Sequence, residues 1–167
     1  SGSIIQAVGI SGTGNIVVGE SGTTSSLVIE RNTTFSGTTE VKADATVTLE
    51  DTSGLGESSS ITVRDGGTLI NKAGGAEVDA VIVEAGGTLD LRDSLSIGVD
   101  GGSSTLAGTL KSALDSGGSN PSLVIKGDTT ITSTNAEFGA SAQVRDDATL
   151  TLTSIGAIGE ADDTDFG

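Results

Sequence analysis

The sequence predicts an all-β chain wound as a parallel β-helix, a β-solenoid with about 20 residues per coil. Three observations predict it: a ladder of small-hydroxyl-aliphatic triplets, period-2 alternation around each rung, and turn-forming residues just before it. The triplets are Ser25-Ser26-Leu27, Ala45-Thr46-Val47, Gly67-Thr68-Leu69, Gly87-Thr88-Leu89, Gly108-Thr109-Leu110, Thr129-Thr130-Ile131 and Ala148-Thr149-Leu150. Their aliphatic rungs lie 20, 22, 20, 21, 21 and 19 residues apart. A coil that short cannot bury its own apolar face, so it is stable only when stacked on its neighbours.

Each rung sits in an alternating segment such as Thr46-Val47-Thr48-Leu49, Thr88-Leu89-Asp90-Leu91 or Thr149-Leu150-Thr151-Leu152. Alternation reads as a strand, with Leu27, Val47, Leu69, Leu89, Leu110, Ile131 and Leu150 as one inward ladder and the threonines outward. Six residues earlier stand Val41, Val63, Val83, Ile125 and Val144, a second inward column interrupted at Ser104. Between the columns, Ala43-Asp44-Ala45, Asp65-Gly66-Gly67, Ala85-Gly86-Gly87 and Asp146-Asp147-Ala148 suit sharp bends with positive φ. Asp51 to Ser60, Asn71 to Asp79, Asp115 to Asn120 and Thr132 to Ser141 are rich in Ser, Gly, Asp and Asn and read as loops leaving the coil.

Composition agrees. Val, Ile and Leu number 13 each beside 3 phenylalanines, with no Trp, Tyr or Met, enough for thin aliphatic columns but not for a wide globular centre. Twenty-six glycines oppose helix, and one proline, Pro121, leaves strand ladders intact. Residues 1–167 read as a single solenoid domain of roughly eight coils, a rod on the order of 40 Å long, least regular at 1–25 and 153–167.

A longer similarity joins Ser26-Leu27-Val28-Ile29-Glu30-Arg31-Asn32-Thr33-Thr34-Phe35 to Ser122-Leu123-Val124-Ile125-Lys126-Gly127-Asp128-Thr129-Thr130-Ile131. The first copy runs on through Ser36-Gly37-Thr38-Thr39-Glu40-Val41-Lys42-Ala43-Asp44-Ala45-Thr46-Val47. This resembles the passenger-associated β-strand repeat of bacterial autotransporters, with Phe35 where that pattern has tyrosine and Ala45 at its last glycine. The resemblance implies a right-handed β-helix and an extracellular or cell-surface protein. The long repeat pairs Leu27 with Leu123, whereas the ladder pairs Leu27 with Val47, so the register before residue 41 is left open.

Charge narrows the partners. Twenty-three acidic against 8 basic residues give a net charge of −15, which repels nucleic acid and anionic lipid and keeps a strand-rich surface soluble. Neither nucleic acid nor membrane insertion is expected. The sequence shows no signal peptide, transmembrane run or lipidation motif, so Ser1-Gly2-Ser3 is expected to open a processed product or a piece of a longer passenger.

Without histidine or cysteine, the usual triads, thiol chemistry and most transition-metal sites are excluded. The charged clusters Arg64-Asp65 and Arg145-Asp146-Asp147 recur at what read as equivalent corners, matched by Lys42-Ala43-Asp44 and Glu84-Ala85, and a repeated corner charge is a solvated face first. No catalytic residue or cofactor is assigned. Calcium has one weak candidate set, Asp162, Asp163 and Asp165 near Glu160, against the plainer reading of an acidic terminus. Asn32-Thr33-Thr34 matches a glycosylation sequon, a match a Thr-rich chain makes by chance. A threonine column at 46, 68, 88, 109, 130 and 149 raises ice binding, but the column two residues on reads Thr48, Ile70, Asp90, Lys111, Thr132 and Thr151, and its charges interrupt a flat surface.

The expectation is a non-enzymatic β-solenoid stalk or surface fibre of autotransporter-passenger type, supporting adhesion or cell-surface architecture. Its partners would be itself by end-to-end stacking or neighbouring repeats of a longer chain, with a host or surface glycan as a further candidate. The alternatives are a carbohydrate-binding or carbohydrate-cleaving β-helix and, remotely, an ice-binding solenoid.

Overall fold

Each pass of the chain makes strands along three sides, turns at three corners, and lands one strand spacing above its start. The computed structural model describes residues 3–20, 22–31, 34–52, 55–112, 121–133, 136–137, 141–145 and 147–153. Among these the chain is all β, with no helix.

The first tier is β1 (Ser3–Val8), β2 (Ser11–Gly12) and β3 (Asn15–Val18), and the second is β4 (Ser25–Arg31), β5 (Thr34–Phe35) and β6 (Thr38–Val41). The third and fourth use one long strand for two sides: β7 (Ala45–Leu49) with β8 (Gly56–Val63), then β9 (Thr68–Asn71) with β10 (Ala76–Val83). The fifth is β11 (Thr88–Leu91), β12 (Leu95–Ile97) and β13 (Ser104–Leu106). The sixth is β14 (Thr109–Ser112), β15 (Ser122–Ile125) and β16 (Thr129–Ile131), and the seventh β17 (Ala136–Glu137), β18 (Ser141–Val144) and β19 (Leu150–Leu152).

Face one is a parallel seven-stranded sheet, β1-β4-β7-β9-β11-β14-β17. Faces two and three join in a ten-stranded sheet because β10 spans both: Ala76, Glu77 and Val78 carry β12, while Ile82 and Val83 carry β13. A small β2-β5 sheet begins face two, and β5 packs against β8. The fold is a parallel β-solenoid of about six turns, not eight. Its face-one ladder stands at 5, 27, 47, 69, 89, 110 and 136, steps of 22, 20, 22, 20, 21 and 26 residues. Six strand spacings make a rod of about 29 Å.

The predicted rungs stack in register from Leu27 through Val47, Leu69 and Leu89 to Leu110, and Leu27 lies opposite Val47, which decides the register before residue 41. Beyond Leu110 the ladder needs correction. Ile131 stacks on Leu106 of face three, and Leu150 on Thr129. Nine residues separate β14 from β15, against three between β11 and β12, so the 21-residue rhythm passes onto another face and Ala136 falls opposite Leu110.

The second column is corrected too. Val18, Val41, Val63 and Val83 continue to Leu106, Ile131 and Leu152, because the corner Leu106-Ala107-Gly108-Thr109 is two residues shorter than its predecessors. Ile125 and Val144 belong to face two, above Val78 and Ile97. The long repeat therefore has no structural equivalence. Leu27 lies on face one and Leu123 on face two, opposite Leu95.

Three of the expected loops contain strands, β17 lying inside Thr132 to Ser141, while Asp115 to Asn120 lies outside the described residues. β8 takes up Gly56 onward and β10 Ala76 onward, since tier stacking supplies backbone partners to segments whose residues are turn formers by habit. Inward columns fill the interior: Ile29, Leu49, Leu55, Ile61, Leu69, Leu89, Leu91, Leu95, Ile97, Leu106, Leu110 and Leu123 are fully buried.

Candidate functional site

The corner between faces three and one repeats most faithfully. Turns close from Ala45 N to Lys42 O at 3.1 Å, Gly67 N to Arg64 O at 2.9 Å and Gly87 N to Glu84 O at 2.9 Å. Asp44, Gly66 and Gly86 take the expected left-handed backbone, at φ 61°, 75° and 89°. The turns are themselves stacked, Asp44 N donating to Gly66 O and Gly66 N to Gly86 O, both at 3.1 Å.

Arg64 is clamped at this corner between tiers. Its Nε donates to Glu40 Oε1 at 2.9 Å and its Nη1 to Glu84 Oε1. The two bonds, the one to Glu84 first, raise the guanidinium pKa above its ordinary value. This is an exposed ion-pair ladder along an edge, not a convergent cleft, and exposed pairs of this kind add little stability.

Arg145 does not sit at an equivalent place. It lies at the corner between faces two and three, above Lys126, with its Nη2 donating to Gln143 Oε1 at 2.8 Å. Asp146 lies outside the described residues. That second corner holds a polar groove of about 310 Å³ lined by Gly101, Lys126, Gly127, Asp128, Asp147 and Ala148. Its charges hold the backbone. Asp79 Oδ1 accepts from Asp100 N at 3.1 Å and Gly102 N at 2.8 Å, Asp128 Oδ1 from Thr149 N at 3.1 Å, and Lys126 Nζ pairs with Glu77 at 3.0 Å.

Among the described residues no three Asp or Glu side chains are placed to hold a metal ion. The calcium candidates Asp162, Asp163 and Asp165 lie outside the described residues, as do Asn32 and Thr33 of the sequon. No helix among the described residues is long and apolar enough to cross a membrane. On face one, Thr46, Thr68, Thr88 and Thr109 stack as a column, whereas Thr130 stacks between Thr105 and Thr151 on face three. The column beside the threonines runs Thr48, Ile70, Asp90, Lys111 and Glu137, so charge interrupts it as expected.

The two ends of the rod are what the periodicity left unread. At the first tier a cavity of about 330 Å³ opens between apolar side chains including Ile5, Ile10, Ile16, Val18 and Leu27. Ile5, the terminal rung of the face-one ladder, is 58% exposed. At the last tier Val144 is 47% and Leu152 48% exposed, the terminal rungs of faces two and three. One signal was present in the sequence: Ile5 precedes Leu27 by 22 residues, the same step that separates Val47 from Leu69.

No family model matches this chain, and no curated protein or solved structure matches it either. Fold and surface together define a class: a three-sided parallel β-solenoid whose charges are spread over corners and faces and which, among the described residues, exposes the terminal rungs Ile5, Val144 and Leu152.

Proposed function

We propose that this protein is a non-enzymatic structural β-solenoid, a stalk or surface-fibre element of autotransporter-passenger type that spaces or supports adhesion at an extracellular or bacterial cell surface. The observation that carries this reading is the distribution of charge. Arg64 is held by Glu40 and Glu84 along one edge, while Asp79 and Asp128 cap backbone amides at another corner. Functional charges usually converge in one cleft, and these are spread along the rod, each engaged with a neighbouring tier. Stacked coils give continuous backbone hydrogen bonding along the rod, which suits a mechanical role.

The competing reading, a carbohydrate-cleaving β-helix, would act in the groove at Lys126, Asp128 and Asp147, whose lining carries no aromatic ring for a sugar to stack on. Incubation with neutral and uronic-acid polysaccharides, with calcium and with chelator, tests the proposal. No new reducing ends or unsaturated products are expected. Cleavage that disappears in Asp128→Asn would overturn it.

A further inference from the structure

We infer that the two ends of the rod are complementary halves of one joint, and that the partner of the first tier is the last tier of a second copy of this chain. The inference rests on the structural reading above and specifies its partner. Both ends present the same three faces in the same order with the same strand direction, so stacking one copy on another continues the tier-to-tier contact that the fold already makes six times.

Side-chain size matches across the joint. On face one, Ile5 ends the ladder at the first tier and the small Ala136 occupies its register position at the last. On face three, Leu152 would stack on Val18, and Leu150 on Ile16, extending the columns Ile131-Leu152 and Val18-Val41 into one.

The outward positions are compatible as well. By register Glu137 would fall over Gln6 and Thr151 over Val17, so at these two described positions no like charges are opposed. Among the described residues Ile5 at the first tier and Val144 and Leu152 at the last are the exposed terminal rungs. Covering Ile5 and Ile16 would close the apolar cavity beside the already buried Val18, and β1 offers a six-residue strand edge for pairing. The contact is heterologous and does not close, so its product is a filament with a polarity.

Sedimentation velocity across a dilution series, with circular dichroism as the folding control, tests this on the full chain. The wild type should gain mass with concentration, while Ile5→Asp and Leu152→Asp, each blocking one end at an already exposed position, should stay monomeric. An equal mixture of the two variants keeps one good end of each kind and should stop at a doubling of monomer mass. Register is read separately: with no native cysteine in the chain, Val17→Cys mixed with Thr151→Cys should cross-link under oxidation, whereas Asn15→Cys with Thr151→Cys, one side-chain step out, should not.

A wild type that stays monomeric with intact β-sheet signal overturns the joint and leaves the rod itself standing. So does association that ignores both aspartates, since it would be lateral. Polysaccharide cleavage, by contrast, would overturn the structural reading whatever the mass distribution.

Discussion

Asn71 ties its own tier to the next by donating through Nδ2 to the carbonyl of Asp93 at 3.0 Å. It stands in an inward column between Leu49 and Leu91, fully buried, and the same amide group also reaches Ala73 O at 3.2 Å and Ser94 O at 3.1 Å. One polar side chain inside an aliphatic column thus satisfies carbonyls at a corner where the chain leaves the face-one strand.

Asn71→Leu should therefore destabilise the rod although it adds apolar volume to an apolar column. A carbonyl left buried without its donor costs about 1–3 kcal/mol. Urea unfolding followed by circular dichroism measures it, and an unchanged midpoint would show that the corner re-forms without the amide.

Gly86 and Gly108 should respond differently to alanine. Gly86 holds φ 89° and a Cβ there meets the side chain of Asp65, which can swing aside, leaving backbone strain on the order of 1–3 kcal/mol. At Gly108 a Cβ would run into the carbonyl oxygens of Gly87 and Glu84 in the tier below, and backbone cannot yield. Gly108→Ala is expected to lower the unfolding midpoint more than Gly86→Ala. The opposite order would mean that the shortened corner has slack.

Truncation along the face-one ladder should depend on position. Leu89→Ala leaves a cavity in the middle of the rod, where the residue is fully buried, and should cost about 2–5 kcal/mol. Ile5→Ala, at the exposed end of the same ladder, should fall within about 0.5 kcal/mol of wild type in dilute solution. Equal losses at both positions would imply that Ile5 is covered in the free monomer.

Arg64→Ala should leave the thermal midpoint nearly unchanged, and any difference should vanish in high salt. Its partners Glu40 and Glu84 are reached across solvent-exposed surface, where entropy and screening offset the Coulomb gain. A large, salt-resistant loss would give this corner a role beyond an exposed ladder.

Much of this architecture was legible in the chain itself. Leu27 to Leu110 could be placed on one face because alternation and a period near 20 are both local properties of strands that must bury one side. The positive-φ corners at Asp44, Gly66 and Gly86 followed from residue type, since few other side chains accept that backbone. What only the tertiary structure decided was which face each later rung joins. Ile131 repeats the spacing faithfully yet lies over Leu106, because the nine residues between Ser112 and Ser122 and a shorter corner at Ala107-Gly108 change how many residues separate the strands without changing how the sequence reads. Strand pairing in a parallel solenoid is wholly between residues some 20 apart, so a few residues added to one turn move every later residue around the rod. Local pattern carries the strands and the bends; the count of residues between bends, settled only when one tier lies on another, carries the register.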